Sequence, residues 1–371
     1  MKILHVFKSY FPTSVGGIEN VIKNLTDQTT LLGCKNTLLT LYKGESKNTI
    51  FQDQLEIIQF PMTLNIASCP FGFQFALEFK KIASQYDIVH FHFPWPFAEF
   101  LQVMFNPKTP IIVTYHSDIV RQKTLKIFYS PFMKAFLRSA NYIVPTSVNC
   151  MISSKDLKDY LNKCHVIPIG INTKNYPFPS QEKIDHWKNR VGNNFMLFIG
   201  VLRYYKGLHI LLDAIKNTNI PLVIAGSGPM EKALKAQAEL LKLDNVHFVG
   251  FVDEEDKVAL LKSCRAVVVP SHLRAEAFCI SLVEGLMFGK PLISTEIGTG
   301  TSFVNQHNET GFVIEPNDIA ALRSALQKIN SDDTLHKKMS ENAKARYEKL
   351  FTAKQMGEKY YTLYEKVLTN R

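Results

Sequence analysis

Short runs of apolar, often β-branched residues alternate along the chain with segments whose apolar positions recur every three or four residues. These are the periodicities of buried strands and amphipathic helices. Residues 3–7, 37–41, 56–60, 88–91, 111–115 and 142–144 read as strands. Between them Ile18, Val21, Ile22, Leu25 and Leu32 mark a helix stopped by Gly33, and residues 73–83, 121–138 and 149–161 read as further helices. A polar stretch bearing proline and glycine, residues 168–190, breaks the series and reads as a linker. A second series places strands at 196–200, 222–225, 247–249, 266–269 and 292–294. Its helices lie at 232–243, 254–263, from Ser281 towards Gly289, and at 319–330, with a last amphipathic segment at 351–368. Such alternation predicts an α/β protein with two Rossmann-like, doubly wound domains, 1–170 and 190–351. Domains of that kind in tandem are expected to face each other across a cleft at the carboxyl ends of their sheets.

Composition narrows the class. A chain of 371 residues suits two domains, and no apolar run reaches the roughly 18 residues that span a bilayer. The opening MKILHVFKSYFP reads as a strand and loop rather than a secretory signal. Six cysteines without C-x-x-C or metal-ligand spacing favour reduced thiols and a cytoplasmic protein. The formal charge of +10 asks for an anionic partner. No G-x-G-x-x-G follows the first strand and no acidic residue ends the second, which argues against NAD.

The chemistry gathers around SHLRAEAFCISLVEGLMFGKP, from Ser271 to Pro291, behind the apolar run AVVV. Glu276 falls in the loop before a helix N-terminus and Glu284 in that helix's first turn. A helix mouth offers free amides and a partial positive charge to a phosphate. Carboxylates beside a phosphate site make sense when they accept from hydroxyls of the same ligand, so a nucleotide sugar fits both. Ser281 and Glu284 also spell a capping box, a purely structural use of Glu284. After the strand at 196–200, Arg203 and Lys206 in GVLRYYKG stand ready to grip a diphosphate, with no D-x-D triplet anywhere in the chain to hold a metal.

Other candidates sit at strand ends. His116, closing IIVTYH, can meet a sugar hydroxyl or shield developing charge, or be a buried structural histidine. His90 and His92 share one strand face; they could line the acceptor cleft, and without acidic partners nearby they do not make a metal site. Gly16 and Gly17, between the first strand and its helix, permit close backbone approach to an anion, or only a tight turn. Gly226 lies in a G-x-G-P turn, and the loop TEIGTGTS from Thr295 is rich in hydroxyls. Residues 119–155 contain no Asp or Glu but include Arg121, Lys123, Lys126, Lys134, Arg138 and Lys155. Leu125, Phe128, Tyr129, Phe132 and Phe136 interleave with them. That is a helix fit to lie on an anionic membrane, or a core stripe with a solvated basic face. No nucleic-acid recognition motif accompanies it.

Glu276-x7-Glu284, preceded by VVVPS and followed by G-x-x-x-G-K-P, resembles the retaining GT-B glycosyltransferases of family 4. The likeness covers nearly the whole chain and is most specific from 196 to 316. It implies the GT-B fold, with a terminal helix (352–371) returning to the first domain. It further implies that Glu276 holds the hexose, Glu284 the ribose, Arg203 and Lys206 the diphosphate, and that His116 lies near the hexose O6. Phe251 and Val252 would seat the base beside the Gly226 turn, and Phe278, Cys279 and Ile280 would offer amides; Cys279 stands where many members have glycine. Transfer would proceed on the donor's own face without metal or cofactor, the leaving phosphate taking the acceptor proton, with no protein nucleophile. TYHSDIVRQK and GKPLISTEIGTGTSFVN resemble bacterial O-antigen and polysaccharide enzymes using mannose or D-rhamnose. GDP-mannose is therefore the expected donor, with a UDP-hexose still open, and a lipid-linked glycan of lipopolysaccharide at the inner face of the cytoplasmic membrane the expected acceptor. A nucleotide-sugar 2-epimerase shares the architecture, and a non-catalytic nucleotide-sugar-binding subunit is the non-enzyme alternative.

Overall fold

The computed structural model describes residues 1–14, 16–119 and 123–369. The chain divides into two units, one built from residues 1–170 with the C-terminal helix and the other from Ile171–Thr352. In the first unit the order is β1 (Lys2–Val6), α1 (Gly17–Leu31), β2 (Lys35–Tyr42), β3 (Asn48–Gln52), β4 (Leu55–Pro61), β5 (Leu64–Ile66) and β6 (Cys69–Phe71). Then come α2 (Phe73–Ala83), β7 (Ile88–Phe93), α3 (Pro96–Phe105), β8 (Ile111–Tyr115), α4 (Lys123–Ser139), β9 (Tyr142–Pro145) and α5 (Val148–Ser153). The main sheet runs β3-β4-β2-β1-β7-β8-β9, with only the edge strand β3 antiparallel. Without β3, and counted along the chain, the parallel strands stand in the doubly wound order 3-2-1-4-5-6.

β7 and β8 are buried at every position, as strands covered on both faces must be. Phe75, Phe79, Phe91, Phe93, Trp95 and Phe136 fill the layer between sheet and helices. Burying side chains of this size stabilises the fold by roughly 1.5–3 kcal/mol each. The helix expected over 149–161 is two pieces. α5 stops before Ser154, which takes extended backbone and donates to Asp118 at 2.6 Å, and a 3-10 turn follows over Lys158–Lys163. Serine hydroxyls that bond elsewhere compete with helix continuation. β3, the β5–β6 hairpin and α3 were not marked by the hydrophobic pattern.

The second unit contains α6 (Gln181–Val191), β10 (Met196–Ile199), α7 (Leu208–Ile215), β11 (Leu222–Ala225), α8 (Glu231–Leu240), β12 (Val246–Gly250) and α9 (Glu254–Ser263). It continues with β13 (Ala266–Val269), α10 (Ile280–Met287), β14 (Leu292–Thr295), α11 (Gly300–Val304), β15 (Gly311–Ile314), α12 (Ile319–Ser331) and α13 (Asp333–Leu350). Its sheet, β12-β11-β10-β13-β14-β15, is wholly parallel and repeats the 3-2-1-4-5-6 order. α14 (Ala353–Thr369) ends the chain and counts with the first unit.

Of residues 168–190, read as linker, those from 171 onward belong to the second unit. α6 forms within it because Ser180 caps the helix by accepting from the Lys183 amide at 3.2 Å. Trp187 and Val191, one turn apart, supply its buried face. Two apolar positions in an otherwise polar helix are too few to show as periodicity.

Candidate active site

In the second unit the strand order reverses between β10 and β13, and open α/β sheets take ligands outside the carboxyl ends of the strands at such a reversal. The loops leaving these two neighbours carry Arg203, Lys206 and Glu276. Lys206 ends a 3-10 turn, Tyr204–Lys206, and is buried. Its ammonium is paired with the buried Glu276 carboxylate, which also accepts from the Ser271 hydroxyl at 3.1 Å. Burial alone would lower the Lys206 pKa, but the facing Glu276 more than offsets it, so the pKa is raised and the amine stays charged. Arg203, exposed at the start of that turn, has no acidic partner among the described residues.

Glu284 does not close a capping box. Its carboxylate, buried in the first turns of α10, accepts from the Tyr176 hydroxyl at 3.0 Å and from the Lys257 ammonium at 2.8 Å. Lys257 reaches Glu254 at 2.8 Å as well. Tyr176 and Lys257 were missed by the sequence reading: neither belongs to a motif, and they reach Glu284 from 108 and 27 positions away in the chain. The N-cap of α10 is Cys279, in left-handed backbone at φ 68° and ψ 84° with no side-chain cap bond. A glycine would take that conformation more readily than a residue with a side chain. Burial, reinforced by Glu276, pushes the Cys279 thiol up to about 11, so the thiol is neutral near pH 7. Phe278 is buried beside it and Ile280 opens the helix.

Gly226 acts through shape. At φ +134° a Cβ would come within 2.0 Å of the Gly200 carbonyl oxygen, so the turn nests against the segment that leads to Arg203. Beyond β12, Phe251 is 82% exposed and Val252 half-buried. In the hydroxyl-rich loop Thr295 donates to the Ser271 carbonyl, tying the loop to the Glu276 segment. The Thr299 hydroxyl is buried and has no partner among the described residues.

In the first unit the reversal falls between β1 and β7. There the structure assembles a set that the sequence only half revealed. The register opposes His5 to His90 and His92 to Thr114, and His116 follows β8 directly. His116 Nε2 lies 3.1 Å from His92 Nδ1, and His92 Nε2 lies 3.2 Å from His5 Nδ1. His5 Nε2 lies 3.2 Å from Asn36 Oδ1. His90 sits alongside, 2.7 Å from both the Tyr364 and the Thr114 hydroxyls. All four rings are buried, so His90 and His92 are packed within the fold instead of lining an open cleft. Burial lowers every one of their pKa values, to about 4 for His5 and about 3 for His116, and all are neutral near pH 7. Ring nitrogens of His5, His90 and His92 lie within 4.8 Å of one another, a spacing that could hold a metal. Each of those six nitrogens is engaged in a hydrogen bond that a cation would have to break. His5 and Asn36 carry no motif; only strand register brings them to His92.

At Gly16 the N-cap backbone of α1 is extended, and the space a Cβ would fill is taken by the Glu19 carboxylate at 2.6 Å. Glu19 accepts from Ser9 at 3.0 Å and Ser14 at 2.6 Å, so the Gly16-Gly17 loop is closed around a carboxylate. On α4, Met133, Phe136 and Leu137 face the core while Phe128 is 80% and Ile127 71% exposed. Phe132 is partly exposed against Phe100 of α3, whose Met104 and Phe105 are exposed too. Lys134, Arg138 and Lys155 are exposed; Arg121 and the side chains of Lys123, Leu125 and Lys126 lie outside the described residues. No described helix is long and apolar enough to cross a membrane.

Two α/β units of one strand order, the second carrying a cation–carboxylate pair at its switch point, have the architecture of the GT-B class. Residues 15–175 match the model described as Glycosyltransferase Family 4 and residues 180–346 that of Glycosyl transferases group 1. The chain is 45% identical over 353 residues to D-rhamnosyltransferase WbpZ of Pseudomonas aeruginosa, covering 95% of this chain and 93% of that protein. It is 42% identical over the whole of both chains to O-antigen chain mannosyltransferase C of Escherichia coli. Anabaena Alr3699/HepE, solved in complex with UDP and glucose, shares the fold at TM-score 0.78 and 20% identity over 99% of this chain and 100% of that one. The chain therefore belongs to the family 4 glycosyltransferases.

Proposed function

We propose that this glycosyltransferase moves a hexose, mannose from GDP-mannose, onto a hydroxyl of a lipid-linked glycan in O-antigen synthesis, retaining anomeric configuration. The reading rests on the buried Lys206–Glu276 pair and on Arg203 three residues before the lysine, exposed and with no acidic partner among the described residues. The carboxylate anchors an ammonium whose other hydrogens remain for a diphosphate, and the Arg203 fork meets the same dianion. Lys206, held by Glu276, and the exposed Arg203 offset charge on the leaving nucleoside diphosphate, so the reaction needs no metal. Glu276 also accepts from the hexose, and Glu284, oriented by Tyr176 and Lys257, accepts from the ribose. Phe251 offers an exposed ring face beside the base, with Val252 next to it. The amides of Phe278, Cys279 and Ile280 and the Thr299 hydroxyl complete the donor site. His116 accepts from a sugar hydroxyl. Gly16 and Gly17 carry less of this reading, because the Glu19 carboxylate beside them repels an anion.

The mannosyltransferase relative supports mannose, and the D-rhamnosyltransferase relative makes GDP-D-rhamnose the alternative donor. The exposed Ile127, Phe128 and Phe132 next to Lys134 and Arg138 support contact with an anionic membrane surface, where a lipid-linked acceptor resides. The purified protein is incubated with GDP-mannose, GDP-D-rhamnose and UDP-hexoses, with and without acceptor glycolipid and with and without EDTA. Acceptor-dependent release of GDP, an axial product linkage by NMR and indifference to EDTA are expected. Formation of an isomeric sugar without acceptor would overturn the proposal in favour of an epimerase.

A further inference from the structure

We infer that Asn36, His5 and His92 form a one-way hydrogen-bond relay that fixes the tautomer of His116, leaving a bare lone pair at its Nδ1. The direction starts at Asn36. Its Nδ2 lies 3.2 Å from the Thr26 carbonyl, which can only accept, and 3.0 Å from the Thr29 hydroxyl, whose own hydrogen goes to the Leu25 carbonyl at 3.0 Å. The Thr30 hydroxyl lies 2.8 Å from the same nitrogen. The amide is thereby oriented with its oxygen towards His5, and His5 Nε2 must carry the proton that bridges the 3.2 Å to Asn36 Oδ1.

Neutral imidazole carries one proton, so everything downstream follows. His5 Nδ1 is bare and accepts, which makes His92 donate from Nε2 across 3.2 Å. His92 Nδ1 is then bare and makes His116 donate from Nε2 across 3.1 Å. What remains is His116 Nδ1, which has no partner among the described residues and can only accept. Burial keeps the three rings neutral and so keeps the relay in this state. A hydroxyl can satisfy that atom; a phosphate oxygen or a carbonyl cannot. Asn36, His5 and His92 are therefore positioning residues for His116, and this consequence rests on the proposed contact of His116 with a sugar hydroxyl.

Reversing the relay would set the Asn36 oxygen against a bare His5 nitrogen. In Asn36→Leu that penalty vanishes and the present direction instead buries an unpaired His5 N–H, so the reversed set gains population by about tenfold or more. The test is long-range 1H–15N correlation on the whole protein with 15N-labelled histidine at pH 7.5. His5, His92 and His116 are expected as pure Nε2–H tautomers, with His116 moving towards Nδ1–H in Asn36→Leu. An Nδ1–H form of any of the three in the unaltered protein overturns the relay, and that spectrum decides even if the variant does not fold. A purely structural Asn36 would lower the melting temperature and leave the His116 tautomer unmoved, which overturns it too. A panel of monodeoxy donors separates the two layers. If Asn36→Leu loses about five- to tenfold in kcat/KM on the full donor but nothing on one deoxy analogue, His116 reads that hydroxyl. Equal losses on every analogue, with the tautomers as expected, overturn the hydroxyl contact while the relay stands.

Discussion

Replacing Glu276 by alanine tests the site and the physics that holds it. In Glu276→Ala the Lys206 ammonium, only 9% exposed, loses its carboxylate, and the Ser271 hydroxyl loses its acceptor. Stripping one member of a buried pair costs about 3–5 kcal/mol, because the remaining charge stays desolvated. The loop lets some water reach Lys206 once the carboxylate is gone, so the lower end, about 3 kcal/mol, is expected. For a unit of this size the melting temperature falls roughly 2–4 °C per kcal/mol, or about 6–12 °C in all. Lys206→Ala in the same background should recover part of that loss, giving a coupling of about 2 kcal/mol in a double-mutant cycle. Catalysis is read separately, below the lowered melting temperature. A carboxylate accepting from a sugar hydroxyl contributes about 1.5–3 kcal/mol, so kcat/KM falls by roughly 10- to 150-fold for each hydroxyl held. A folded Glu276→Ala enzyme with unchanged kcat/KM would refute the role given to this residue.

Three further outcomes follow from the same geometry. His5 and His116 have pKa values of about 4 and 3 against an ordinary 6.5, so the unfolded chain binds protons below pH 6.5 that the folded one refuses. The stability they contribute is complete above pH 6.5 and falls with acid, by up to about 1.4 kcal/mol per pH unit for each imidazole, measured as urea midpoints from pH 7 to 5. Gly226→Ala sets a methyl against the Gly200 carbonyl at φ +134°; it should cost about 2–4 kcal/mol and raise the donor KM by displacing Arg203, as thermal melts and donor titration will show. Phe128→Ser should leave stability within about 0.5 kcal/mol, since that side chain is 80% exposed, yet reduce co-sedimentation with phosphatidylglycerol vesicles several-fold.

Much of this molecule is legible in its residue pattern. The strands at 111–115, 222–225 and 266–269 and the helices at 73–83 and 254–263 form where the apolar periodicity placed them. Central parallel strands are apolar on both faces, and their helices need one long apolar stripe, so both signals are strong and local. The family likeness in Glu276-x7-Glu284 and R-x-x-K-G is legible for a related reason: each motif lies within a short run of consecutive residues. What escaped notice had weak local pattern: α6 with two buried residues, α13 with few apolar positions, and the β5–β6 hairpin and edge strand β3 of the first unit.

The chain order of strands and helices, the two-unit plan and the family were thus determined by the sequence, because each depends on neighbours a few residues apart. The partners of the site residues were decided only by the tertiary structure. Lys206 meets Glu276 across 70 positions, Tyr176 meets Glu284 across 108, and His5 meets His92 across 87. Those distances in sequence are closed by strand order and register, which are properties of the whole sheet. A carboxylate or an imidazole written in the chain has no fixed protonation or direction until the sheet chooses what faces it.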